Sequence, residues 1–94
     1  MNKMLKDRLR CTRMFRNYTL KDVSDKTGIT VRTYQRYEGG QCEPPLENLV
    51  LLADLFEVPT DFLLGRDFYL RSLGVSVDVP LTNPPRRPNG ERNR

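Results

Sequence analysis

Residues 19–40, TLKDVSDKTGITVRTYQRYEGG, read as two short helices joined by a tight turn. Thr19 can cap the first helix, whose apolar positions Leu20 and Val23 lie three apart on one face. Gly28 follows it, where a left-handed residue ends a helix without steric penalty. Thr30 offers a second N-cap. In the helix that follows, residues 31–38, Tyr34 and Tyr37 turn inward while Arg32, Thr33, Gln35 and Arg36 point elsewhere. A helix, a glycine-containing turn and a second capped helix make a helix-turn-helix signature. The second helix carries polar side chains long enough to touch a DNA base.

Outward from this pair, the pattern stays helical. Residues 3–15 predict a first helix with Leu5, Leu9 and Thr12 facing in and Lys6, Arg10 and Arg16 outside. Asn17 breaks it. Gly39 and Gly40 end the second helix of the pair, and residues 41–44 are loop. Pro45 sits where a helix first turn tolerates proline, with Glu47 adding early negative charge. Leu46, Leu49, Leu52, Ala53 and Phe56 recur at three- and four-residue steps, which is an amphipathic helix and a core stripe. Val58-Pro59 is a corner, and a short fifth helix, residues 60–64, closes on Gly65. Five short helices in about 65 residues predict an all-α helix-turn-helix domain over residues 1–65.

Beyond Gly65 the composition shifts. Residues 67–73 can add a helical turn or two through Phe68, Leu70 and Leu73. Val75, Val77 and Val79 then alternate with Ser76 and Asp78, a period-two strand pattern. With no partner strand in the chain, residues 66–79 are either an extended segment or a place for pairing with another subunit. From Pro80 onward the chain is rich in Pro, Asn and Arg with little to bury, which predicts a disordered basic tail over residues 80–94.

Composition bounds the function. The chain has 94 residues, 37% of them hydrophobic, which suits one domain. It has no apolar run long enough to span a membrane, and its charged N-terminus lacks the apolar stretch of a secretory signal. A cytoplasmic protein is expected. Two cysteines and no histidine exclude the usual four-ligand zinc site, and Cys11 and Cys42 read as free thiols. No nucleophile–base arrangement, glycine-rich phosphate loop, metal or cofactor site is apparent, and Asp22 and Asp25 read as solvated carboxylates. Net charge is +4, but residues 1–36 carry +7, residues 37–65 carry −6 and residues 66–94 carry +3. A basic front and an acidic back would orient a protein on a phosphate backbone.

Residues 9–65 resemble the Cro and phage-repressor type of helix-turn-helix regulator, also called xenobiotic-response-element-like. The resemblance rests on an ordered set: Leu9-Arg10 and Arg13, Thr19, Gly28-Ile29-Thr30, Arg36-Tyr37-Glu38 with Gly40, then Pro44, Leu49, Ala53, Leu55, Val58 and Leu63-Leu64-Gly65. It implies that the third helix enters the major groove, where Val31, Arg32, Thr33, Gln35 and Arg36 meet base edges. Arg32 and Arg36 lie one turn apart on the same face and suit guanine; Gln35 suits adenine. The resemblance also implies a partly buried Arg13–Glu38 ion pair joining the first and third helices.

Three positions depart from the family pattern. Leu20 stands where a phosphate-clamping glutamine is common, Ser24 replaces the usual alanine, and Gln41, Cys42 and Glu43 give the following loop no positive charge. Phosphate contacts then fall to helix N-termini, to Thr19, Lys21 and Thr30, and to basic residues such as Arg16. Arg86, Arg87, Arg92 and Arg94 of the tail could track the backbone or simply solubilise the chain. The function implied is a sequence-specific regulator of double-stranded DNA, a repressor acting as a homodimer on a palindromic operator and controlled by concentration or a partner protein. Phe62, Phe68, Tyr69 and Leu70 are the expected dimer surface. The alternative is an antitoxin-type protein whose 75–79 segment adds a strand to a protein partner while the helix pair autoregulates.

Overall fold

The computed structural model describes residues 4–80, which fold into α1 (Leu5–Phe15), α2 (Leu20–Thr27), α3 (Val31–Glu38), α4 (Leu46–Phe56), α5 (Thr60–Leu63) and α6 (Asp67–Ser72). The fold is all-α, with no strand among the described residues. The first five helices form the helix-turn-helix domain and α6 begins the extension.

Local chemistry sets the helix boundaries. Asn17 adopts a left-handed φ of 64° between α1 and α2, a conformation that its short amide tolerates. Thr19 and Asp22 then form a reciprocal capping box: Thr19 Oγ1 accepts from the Asp22 N–H at 3.0 Å, and Asp22 Oδ2 accepts from the Thr19 N–H at 2.9 Å. The hydrogen bond from the Thr19 N–H, followed by one from the Thr19 side chain, holds the Asp22 carboxyl below the usual carboxylate range. Gly28 takes φ 81° and ends α2, which leaves Ile29 to enter the core and Thr30 to cap α3. Pro45 is the N-cap of α4 and lies one position before its first turn.

The core runs through all six helices. Leu9, Leu20, Val23, Tyr34, Leu52, Phe56, Phe62 and Leu63 are each at most 1% exposed. α3 packs against α1 and α2, α4 against α2 and α5, and α5 against α1 and α6. In α4 the inward stripe is Leu49, Leu52, Ala53 and Phe56, while Leu46, expected to share it, is 81% exposed. Leu46 is the first residue of the helix, beyond the reach of the elements that cover the later turns.

The extension is part of this core. Leu70 and Val79 are buried with the helices, and Val77 packs against them. The alternating 75–79 segment forms no strand. It returns over the domain instead, since a valine buried in its own chain's core removes apolar surface from water without a partner strand. Arg16 secures it: the guanidinium donates to Asp78 Oδ1 at 2.9 Å, and its Nε donates to the Phe56 carbonyl at 2.7 Å. The tail expected from residue 80 onward, with Arg86, Arg87, Arg92 and Arg94, lies outside the described residues except for Pro80.

Candidate nucleic-acid interface

Helix α3 has two chemically distinct sides. Tyr34 and Tyr37 lie inward, their rings edge to face with centroids 6.3 Å apart. The Tyr37 hydroxyl accepts from the Asn48 amide at 3.0 Å, tying α3 to α4. On the opposite side Arg32, Gln35 and Arg36 are exposed and, with Gln41, line one open polar depression. Positions 32 and 36 share a face because they are four residues apart. Two guanidiniums and one carboxamide can thus address the edge of one surface together.

The other expected contact residues surround this face in supporting roles. Thr30 Oγ1 accepts from the Thr33 N–H at 3.1 Å and donates to Thr33 Oγ1 at 2.9 Å. The Thr33 hydroxyl keeps its own proton for an outside acceptor. Val31 is half-buried and packs against the core, so it reaches outward less than the resemblance implies. The Thr19 hydroxyl serves the capping box, accepting from the Asp22 N–H and hydrogen-bonding the Asp22 carboxylate. Lys21 is exposed and pairs with Asp25 at 2.9 Å, one turn along α2. An exposed pair of this kind is weakly held and can exchange partners.

A buried ion pair fixes the angle of α3. Arg13 Nε donates to Glu38 Oε2 at 2.7 Å and its Nη2 to Oε1 at 3.2 Å; the two side chains are only 7% and 3% exposed. Arg13 Nη1 also donates to the Tyr18 carbonyl at 3.0 Å. The Tyr34 hydroxyl is buried beside the pair without ideal hydrogen-bond geometry. Burial first, then the Glu38 carboxylate, push its pKa well above the ordinary phenol value. The phenol therefore stays neutral.

Two arginines of α1 depart from expectation. Arg16, expected to hold a phosphate, is engaged by Asp78 and by the carbonyl at the end of α4. Its charge closes the extension, because an adjacent carboxylate outcompetes a distant ligand. Arg8, which carried no expected role, is 7% exposed and donates to both oxygens of Asp67 at 3.1 and 2.9 Å and to the Phe62 carbonyl at 2.8 Å. Its guanidinium also lies 4.5 Å from the centroid of the Phe62 ring. The available signal was its register: Leu5, Arg8, Leu9 and Thr12 share one face of a helix, so Arg8 falls within the apolar stripe.

The expected dimer residues divide. Phe62 and Leu70 are 1% and 6% exposed and belong to the core, so they cannot offer a surface. They face inward because α5 packs on α1 and α6 packs on α5. Phe68 and Tyr69 face outward at 83% and 44% exposure, with Arg71 over the first ring and Arg66 over the second. Neither Cys11 nor Cys42 is in a disulfide, and burial pushes the Cys11 thiol up, away from the reactive thiolate. Among the described residues no cluster of acidic and cysteine side chains could hold a metal, and no helix is long and apolar enough to cross a membrane.

The sequence is similar to those of known transcriptional regulators. The chain is 46% identical over 61 residues to the HTH-type transcriptional regulator AnsR of Bacillus subtilis, covering 65% of this chain and 53% of that protein. It is 40% identical over 62 residues to the cryptic phage CTXphi transcriptional repressor RstR of Vibrio cholerae, covering 66% and 55%. A third relative, the SPbeta prophage-derived regulator YonR of Bacillus subtilis, is 39% identical over 61 residues, covering 65% and 56%. The chain thus spans about half the length of the curated relatives it matches. No solved structure gives a significant match. Residues 13–63 match the helix-turn-helix family HTH_3, a segment that runs from the buried Arg13 to the end of α5. On this match and on the geometry of α2 and α3, the chain belongs to the Cro and phage-repressor type of helix-turn-helix family.

Proposed function

We propose that this protein is a sequence-specific DNA-binding transcriptional regulator, a repressor that binds a palindromic operator as a homodimer with α3 in the major groove. One observation carries the reading: Arg32, Gln35 and Arg36 stand together on an exposed polar face of a helix whose other side is locked into the core. Rigid presentation matters because a bidentate arginine–guanine contact discriminates only when its donors arrive in register. The named repressor and regulators among the relatives support the same class of work. Two-fold pairing follows from economy, since one recognition helix reads few base pairs. Phe68 and Tyr69 are the side chains of the expected dimer surface that remain available to a second copy.

The antitoxin-type reading depends on residues 75–79 adding a strand to a partner. Val79 is 1% exposed within this chain, so the repressor reading is preferred. Selecting bound sequences from random double-stranded DNA, with the salt dependence measured, tests the proposal. A two-fold-symmetric enriched site is the expected result. No enrichment even at low salt would overturn it.

A further inference from the structure

The exit of α3 presents an electrostatic gap. From Tyr37 to Gly65 the chain has no lysine or arginine, and the loop that leaves α3, GGQCEPP at residues 39–45, carries only Glu43 as a formal charge. Yet this loop adjoins the candidate interface, because Gln41 lines the same depression as Arg32, Gln35 and Arg36. A phosphate backbone running past that depression would meet no cation supplied by the loop.

Helix α1 reaches into this gap. The aliphatic stem of Lys6 lies directly over Gly40, so closely that a Cβ added there would come within 2.8 Å of Lys6 Cδ and 3.6 Å of Cε. Gly40 has φ 75°, a left-handed conformation that itself disfavours a side chain. The missing side chain leaves a lane along which the lysine crosses from α1 to the loop. Its ammonium lies one bond beyond Cε, which itself sits within 3.6 Å of where a Gly40 side chain would begin. Arg8, Arg13 and Arg16 of the same region are taken up by Asp67, Glu38 and Asp78. Lys6 is exposed and makes no ion pair among the described residues.

We propose that Lys6 supplies the phosphate contact at the exit of the recognition helix that the loop itself lacks. A compact ammonium on a flexible stem suits a phosphate oxygen, where charge and reach matter more than fork geometry. The contact would position the protein on DNA and carry no sequence information. The inference rests on the DNA-binding reading above and locates one of its backbone contacts on α1.

The test compares the full chain with Lys6→Gln and Lys6→Arg on the enriched site, following affinity against salt. Each phosphate contact contributes about 0.9 to the slope of log affinity against log salt. Lys6→Gln should therefore flatten the slope by about 1 per protomer, weaken binding about equally on all sequences, and leave the enriched site and the thermal midpoint unchanged. Lys6→Arg should restore the slope. A wild-type slope in Lys6→Gln, with the enriched site still bound, would overturn this assignment alone. Failure of the wild-type chain to enrich any sequence would overturn it together with the reading on which it rests.

Discussion

Helices α1 and α3 are both rich in arginine, and they use it in opposite ways. In α1 Arg8 and Arg13 lie beneath the surface, each gripping a carboxylate from a distant helix, and Arg16 just beyond it clasps the returning extension. In α3 Arg32 and Arg36 stand in solvent beside Gln35. The formal charge of the N-terminal third therefore overstates what is available to an outside anion. A buried guanidinium with a bidentate carboxylate is part of the architecture, and its field beyond the pair is largely cancelled. Charge counted along the chain identifies a basic segment; only the partners of each side chain separate binding charge from structural charge.

The comparison predicts that breaking the buried arginine pairs costs stability, while removing the exposed arginines of α3 costs discrimination. Glu38→Ala, which strands Arg13 in the core, should have the largest effect. Removing one partner of a buried pair costs about 3–5 kcal/mol. Urea denaturation should show it, and a cost below about 1 kcal/mol would mean that Arg13 finds water or another partner, which breaks the contrast. Arg8→Ala should follow at about 2–3 kcal/mol, since Asp67 is partly solvated and also loses its donor.

The Arg8–Asp67 pair also gives a pH signature. The hydrogen bond from Arg8, reinforced by its charge, holds the Asp67 carboxyl below the usual carboxylate range against the opposing effect of burial. A carboxyl with a depressed folded pKa adds stability that is fully present above its unfolded pKa of about 3.9. That stability is lost as the pH falls through the lower folded value. Asp67→Asn should accordingly be less stable than the wild type at neutral pH and flatten the decline below about pH 4. Parallel acid limbs in urea titrations would show that the pair contributes nothing to the acid sensitivity.

Arg32→Ala should leave the urea midpoint unchanged and relax preference at particular base pairs by about 1–3 kcal/mol. A uniform loss across all sequences would recast Arg32 as a phosphate contact and place it functionally with Lys6. Asp78→Asn should have the smallest effect, loosening residues 77–80 while the helices hold. Hydrogen exchange confined to that segment is the expected readout; exchange spreading into α4 would show that Arg16 supports more than the extension.

The helix pair was legible in the sequence because its determinants are local. Thr19, Gly28 and Thr30 act on backbone groups within a few residues of themselves, and the periodicity of Tyr34 and Tyr37 assigns the faces of α3. The extension was less legible. Alternating valines at 75, 77 and 79 carry a strand pattern, yet their fate depends on whether the core offers a berth and on Arg16 being near enough to hold Asp78. Phe62 and Leu70 failed as surface residues for a related reason: apolar character identifies a residue that will be covered, but not what covers it.

What the sequence by itself determined is the series of helices, the two caps and turn of the helix-turn-helix motif, and the polar residues Arg32, Thr33, Gln35 and Arg36 turned away from the core side of its second helix. These follow from short-range hydrogen bonding and helical period, which operate within one or two turns. Only the tertiary structure decided which arginines remain outside, where the 75–79 segment lies, and that Lys6 of α1 meets the loop after α3. Those outcomes join residues 25 to 62 positions apart, as with Arg13 on Glu38, Lys6 over Gly40 and Arg16 on Asp78. Long-range pairing of this kind is settled by the packing of whole helices, which places a side chain against a partner that its neighbours in sequence do not specify.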